Sequence, residues 1–238
     1  MSAWHLGRLA GLDFESTGVD VENDRIVTAC VVQCGGGQPT VSANWLSDVD
    51  GMEIPQQASD IHGVTTERAR AEGKPAGEVV ADVLAALGQV IAAGVPVVAM
   101  NARFDLTLLD REARRHGLAP LPAGFPVVDP FVIDKQVDRY RKGSRKLVDL
   151  AAHYEVPIGE AHTADADAIA ACRVAWRLGT RYSQLAGYSL PELHAVQVGW
   201  AAEQVAGLQE YFRRKDPNAV VRGEWPLLPI PQQQDGDQ

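Results

Sequence analysis

A chain of 238 residues, 46% hydrophobic and 22% charged, suits one large domain, or a domain with an extension, that buries a substantial core. No apolar run approaches the ~20 residues needed to span a bilayer, the first residues do not read as a secretory signal, and three cysteines without a CxxC pair (Cys30, Cys34 and Cys172) read as reduced thiols of a cytoplasmic protein. A net charge of −9 excludes a protein that coats nucleic acid by long-range attraction, but not an enzyme that meets nucleic acid through bound cations and a local basic patch.

Residues 9–15 predict a buried strand, 25–34 a second and 39–46 a third, joined as an antiparallel meander. Residues 47–74 are polar and read as irregular. Apolar residues at three- and four-residue spacing predict a helix over 76–93, followed by a short buried strand over 95–100. The segment NARFD then opens a helix that Gly117 ends. Residues 126–132 predict a further strand, 144–154 a short helix, and the alanine-rich stretch 164–179 another. Strands alternating with helices after a meander predict an α/β fold with a mixed sheet. Residues 190–214 predict one long amphipathic helix with Leu193, Val196, Trp200, Val205, Leu208 and Phe212 as its apolar stripe. The proline-rich tail cannot form regular structure; Trp225, Leu227 and Leu228 could dock back onto the domain, and the last seven residues are expected to be disordered.

The chemistry begins in LAGLDFESTG, residues 9–18. Strand side chains alternate, so Asp13 and Glu15 share one face. Two like charges at the end of a buried strand are unfavourable without a cation between them, and a hard divalent cation is the natural one. Two further segments place acids at element ends: Asp105 in NARFD, and Asp167 in HTADAD, which His162 opens. Each has a plainer reading alone, since Asp105, Asp165 or Asp167 could simply favour a helix's first turn and His162 could be an ordinary loop histidine. In open α/β sheets, sites collect at the C-terminal ends of strands, where these segments could converge. The run RYRKGSRK, residues 139–146, holds five basic residues and reads as a solvated loop or a phosphate-contacting patch.

The order and spacing of DFESTG, NARFD and HTADADA resemble the DEDDh, or DnaQ-like, proofreading exonucleases, among them the epsilon subunit of bacterial DNA polymerase III. The spacing from His162 to Asp167 marks the histidine subclass. IHGVT (61–65), VVDP with Asp129 and RKLVDLAAHY resemble further family segments, and the likeness covers roughly residues 8–180. It departs at Met100, where family members often carry histidine before Asn101. The resemblance implies a ribonuclease H-like mixed five-stranded sheet flanked by helices, over residues 1–184, with residues 185–238 as a helical extension that packs on the domain or binds a partner.

It also implies a metal-dependent 3′→5′ exonuclease that releases nucleoside monophosphates. Asp13, Glu15 and Asp167 would hold one Mg²⁺, and Asp13, supported by Asp105, a second; Mn²⁺ also suits an all-oxygen ligand set. His162 would be the general base. Ser16, Thr17, His62, Asn101 and Phe104 would line the substrate, with Phe104 the one among them that also reads as core. Arg103 and residues 139–146 are the candidates for phosphate contacts outside the site. The expected partners are single-stranded or frayed 3′ ends of nucleic acid and a DNA polymerase subunit, with no membrane. The IHGVT segment is closer to DNA-trimming members than to RNA trimmers, which favours DNA. RNA trimming within the same family and a non-catalytic nucleic-acid or polymerase-binding module are the competing readings.

Overall fold

A computed structural model describes residues 3–159 and 163–231. Its centre is a five-stranded sheet of order β3-β2-β1-β4-β5, made of β1 (Arg8–Ser16), β2 (Ile26–Gly35), β3 (Val41–Leu46), β4 (Val97–Val98) and β5 (Val127–Val128). The meander β1–β2–β3 is antiparallel, and β4 and β5 add parallel to β1. The mixed α/β sheet is the one expected.

Leu12 and Phe14 of β1 enter a core shared with α3 (Ala76–Ala92) and α4 (Ala102–Arg115). The alternate positions of β1 face α7 (Ala164–Arg181), whose Ala164 and Ala168 pack on Cys30 and Val32 of β2. The approach is close: a Cβ at Gly11 would come 2.5 Å from the Ala168 carbonyl oxygen and 2.9 Å from Cys172 Sγ. Glycine on the strand and alanines on the helix let α7 lie directly under β1, which carries Asp167 to the acids at the end of that strand. All three cysteines are free thiols. Among the described residues, no helix is long and apolar enough to cross a membrane.

The structure differs from expectation at several elements. Residues 47–74 hold two short helices, α1 (Gln56–His62) and α2 (Thr66–Glu72). Gly63, left-handed at φ 72°, ends the first, and the Thr65 side chain caps the second by accepting from the Arg68 amide. The expected strand over 126–132 is cut to two residues because Asp129 caps a helix, α5 (Pro130–Val137), with Pro130 in its first turn. The short helix over 144–154 is α6 (Leu147–His153), and one turn, α8 (Ser183–Ala186), precedes α9 (Leu190–Arg213).

Helix α9 forms as expected, opened by a Ser189–Glu192 capping box, but its buried face is Leu193, Gln197 and Ala201, while Leu208 and Phe212 of the expected stripe are exposed. Trp225 and Leu228 dock on the domain, whereas Leu227 stays 40% exposed. The expectation of disorder for the last seven residues lies outside the described residues.

Asp129 ties these pieces together. It is fully buried, and its carboxylate accepts from the amides of Asn101, Ala102, Phe131 and Val132 and from the Trp225 indole at 3.0 Å. Gln197 of α9 accepts from the Asp129 amide at 2.8 Å. Burial raises the Asp129 pKa, against which the bonds from Trp225, Asn101, Val132 and Ala102 favour the carboxylate. Replacing Asp129 by Ala would orphan these buried donors, so stability should fall by roughly 4 kcal/mol and Tm by roughly 10 °C in a thermal melt, with Asp129→Asn falling less.

Candidate active site

The acids at the end of β1 meet the first turns of two helices. Asp13, Glu15 and Asp167 each present an oxygen such that all three lie within 4.8 Å of one another. Asp105, 3% exposed in the first turn of α4, completes the group by charge. The Asp13 carboxyl is pushed well above its usual range by burial, then by the charges of Asp105, Asp167 and Glu15. Asp105 is raised by burial and by the charges of Asp129 and Glu15, opposed by the backbone amides of Asp105 and Phe14. Glu15 is pushed up to about 7 by burial and the charge of Asp167. A protein gains nothing from this crowding on its own. An all-oxygen donor set of like charge, closely spaced and part-buried, fits one or two hard divalent cations.

The shifts have a consequence for stability. Groups whose carboxyls titrate higher in the folded than in the unfolded chain favour folding at low pH, and that advantage is lost as pH rises through the folded values. For Glu15 the window runs from 4.5 to about 7. In metal-free buffer, this group alone should cost on the order of 2 kcal/mol after allowance for its partial exposure, or roughly 5 °C in Tm between pH 5 and pH 8. Added Mg²⁺ should restore Tm at pH 8 and change it little at pH 5, where protons compete; equal responses at both pH values would count against a cation site here.

Of the remaining predicted residues, His62 lines one cleft and Asn101 another, whereas Ser16, Thr17 and Phe104 line neither of these two. Glu15, Thr28, Asn44, Trp45, His62 and Arg68 line a cleft of about 380 Å³ beside the acids. His62 Nδ1 accepts from the Val64 amide at 3.2 Å, and burial lowers its pKa. Ser16 Oγ donates to the Gly18 carbonyl at 2.7 Å. Thr17 is buried, donates to Asp24 at 2.7 Å and accepts from the Arg25 amide, so its hydroxyl closes the loop after β1. Asn101, left-handed at φ 61°, opens α4 with its amide on Asp129 and lines a second cleft. Phe104 packs partly against the core. His162 lies outside the described residues. Sequence reasoning missed Asn44, in register with Cys30 and Asp13: nothing in strand β3 distinguishes it from an ordinary edge-strand residue, while the neighbouring Trp45 turns to the other face and donates to Asp82 of α3.

A family model described as an exonuclease (RNase_T) matches residues 11–175. The chain belongs to the DEDDh exonuclease family. It is 27% identical over 156 residues to a PolC-type DNA polymerase III of Lacticaseibacillus paracasei, a match that covers 66% of this chain and 10% of that protein. Among solved structures, exonuclease I superposes with a TM-score of 0.65 at 19% identity, over 76% of this chain and 43% of that one. Escherichia coli exonuclease I bound to a dA16 oligonucleotide gives 0.64 at 19% identity, over 76% and 42%. The Methylocaldum szegediense exonuclease I gives 0.62 at 19% identity, over the same shares. The ribonuclease H-like fold is therefore shared, while the chain spans less than half of exonuclease I and a tenth of the polymerase.

Proposed function

We propose that the chain is a divalent-metal-dependent 3′→5′ exonuclease that removes nucleoside monophosphates from the 3′ end of DNA. The observation that carries this reading is the convergence of Asp13, Glu15 and Asp167 within 4.8 Å, with Asp105 close enough to raise Asp13. The family match and exonuclease I bound to DNA oligonucleotides support it.

The residues divide the work. A pair of Mg²⁺ ions, when bound, would supply an activated water and offset charge on the phosphoryl oxygens and the leaving 3′-oxygen. Asp13, Glu15 and Asp167 would hold one ion, and Asp13 with Asp105 the other. His162 would take the proton from the attacking water, a role that suits an imidazole near neutral pH. The cleft between Glu15, Asn44 and His62 would receive the terminal nucleoside.

The test is direct. The purified protein is incubated with 5′-labelled single-stranded DNA, mismatched duplex DNA and short RNA, with Mg²⁺ or with EDTA. A ladder that shortens from the 3′ end only with Mg²⁺, and faster on DNA than on RNA, is the expected result. No metal-dependent cleavage of any substrate would sink the reading, and preferential shortening of RNA would move the substrate to RNA.

A further inference from the structure

The second cleft, of about 600 Å³, opens beside Asn101. Four of its lining residues are cations, Arg103, Lys135, Arg145 and Lys146, and among the described residues no aspartate or glutamate lines it. In a chain of net charge −9 that is a marked local reversal. The four come from α4, α5 and the segment before α6, separate in sequence and gathered by the fold. Its opposite wall is Ala201, Gln204, Val205 and Leu208 of α9 with Gly223 and Trp225 of the tail, residues beyond the matched span 11–175.

These charges are only partly met by neighbours. Among the described residues, Arg145 alone of the four is ion-paired, to the buried Asp134 at 2.7 Å. Arg103 donates to the Arg222 carbonyl at 2.9 Å, with Glu224 near it outside the cleft. Lys135 sits over the Phe131 ring at 4.8 Å. Its ammonium is held below its usual pKa by burial and then by the charges of Arg145 and Arg103, opposed by that of Asp129. A smaller cleft shares Lys135, Arg145 and Gln204 and adds Arg139, with Glu203 on its wall. The basic path thus continues away from the acids.

We propose that this cleft binds the phosphodiester backbone of the nucleic-acid strand on the 5′ side of the residue being removed, and that α9 and the tail serve to complete it. The inference rests on the exonuclease reading for the identity of the polyanion. Its volume falls within the roughly 300–1,000 Å³ of ligand sites, enough for one or two nucleotides. Its position beside Asn101, at the helix start that carries Asp105, lets one strand run from the acids into it. Apolar Met100 and Phe131 in the lining suit sugar and base faces between the phosphates.

Binding of labelled deoxyoligonucleotides two and ten residues long is measured in EDTA, for the unaltered protein, Lys135→Gln/Lys146→Gln, Leu208→Glu, and a control, Arg70→Gln/Lys74→Gln, which removes the same charge at the opposite edge of the sheet. The expected result is about ten-fold weaker binding of the ten-residue strand by the first two variants, with binding of the two-residue strand and by the control unchanged. The salt dependence of the double lysine variant should be shallower by about 0.7 for each phosphate that is no longer neutralised. Variants that melt like the parent yet bind the ten-residue strand equally well would overturn the proposal, as would a polyglutamate peptide that displaces the strand at lower concentration than unlabelled DNA does. Metal-dependent hydrolysis by the unaltered protein is scored separately, so a failed nuclease reading and a failed cleft give different results.

Discussion

Replacing Asp13 by Asn should lower metal-dependent exonucleolysis by about 10³-fold or more, equivalent to roughly 4 kcal/mol in the barrier, while leaving the metal-free protein at pH 8 at least as stable as the parent. The reason is the position of Asp13 among the acids. Its carboxyl is raised by burial and then by the charges of Asp105, Asp167 and Glu15, and it lies within 4.8 Å of Glu15 and Asp167, so its oxygens could serve both a cation held with those two and one held with Asp105. Asparagine keeps the size and one oxygen but removes the charge that two cations need. Without metal, the same charge opposes its neighbours in a part-buried setting, and its removal relieves them. The two readouts thus move in opposite directions, which separates a cation ligand from a residue that merely supports the fold. Rates of 3′ shortening together with Tm in EDTA would check it; a variant with full activity, or one that loses stability along with activity, would contradict the assignment.

How far the sequence disclosed this depends on whether an interaction is local. Asp13 and Glu15 stand out because period-2 alternation places two acids on one face of an apolar strand, and no partner is needed to see that. The antiparallel meander and the long helix follow from runs of local pattern. The role of Asp129 does not: its donors come from Asn101, Ala102 and Trp225, distant in sequence. The basic run 139–146 was visible, but its division was not. Arg141 and Arg145 turn inward to the buried Asp134, which also accepts from the Tyr154 hydroxyl. The cation that joins this run to Arg103 in the second cleft is Lys135, on another helix. In the tail, residue type predicted docking, but only the fold decides that Trp225 and Leu228 go in while Leu227 remains outside.

Truncation after Gly187 should leave an insoluble or cooperatively unfolded chain, even though it spares the entire matched span 11–175 and every candidate catalytic residue. Helix α9 places Leu193 and Gln197 in the interior at 0% exposure, with Ala201 nearly as deep. Gln197 accepts from the Asp129 amide and donates to the Val127 carbonyl at 2.8 Å. Its removal leaves the Val127 carbonyl of the edge strand β5 and the Asp129 amide just beyond it without these partners. The tail adds Trp225 on Asp129, the Leu228 amide on Thr107 Oγ1 at 3.1 Å, and carbonyls of Leu228 and Pro229 that accept from Arg111. Each large buried side chain removed costs about 2 kcal/mol, and the uncovered polar groups add to that against a total margin of roughly 5–15 kcal/mol. A milder variant tests the same point without wholesale deletion: Leu193→Ala should lower stability by about 3 kcal/mol. A soluble fragment 1–187 that melts cooperatively near the parent Tm would instead make residues 185–238 a separable extension, and would move the role of α9 from completing the core to engaging a partner.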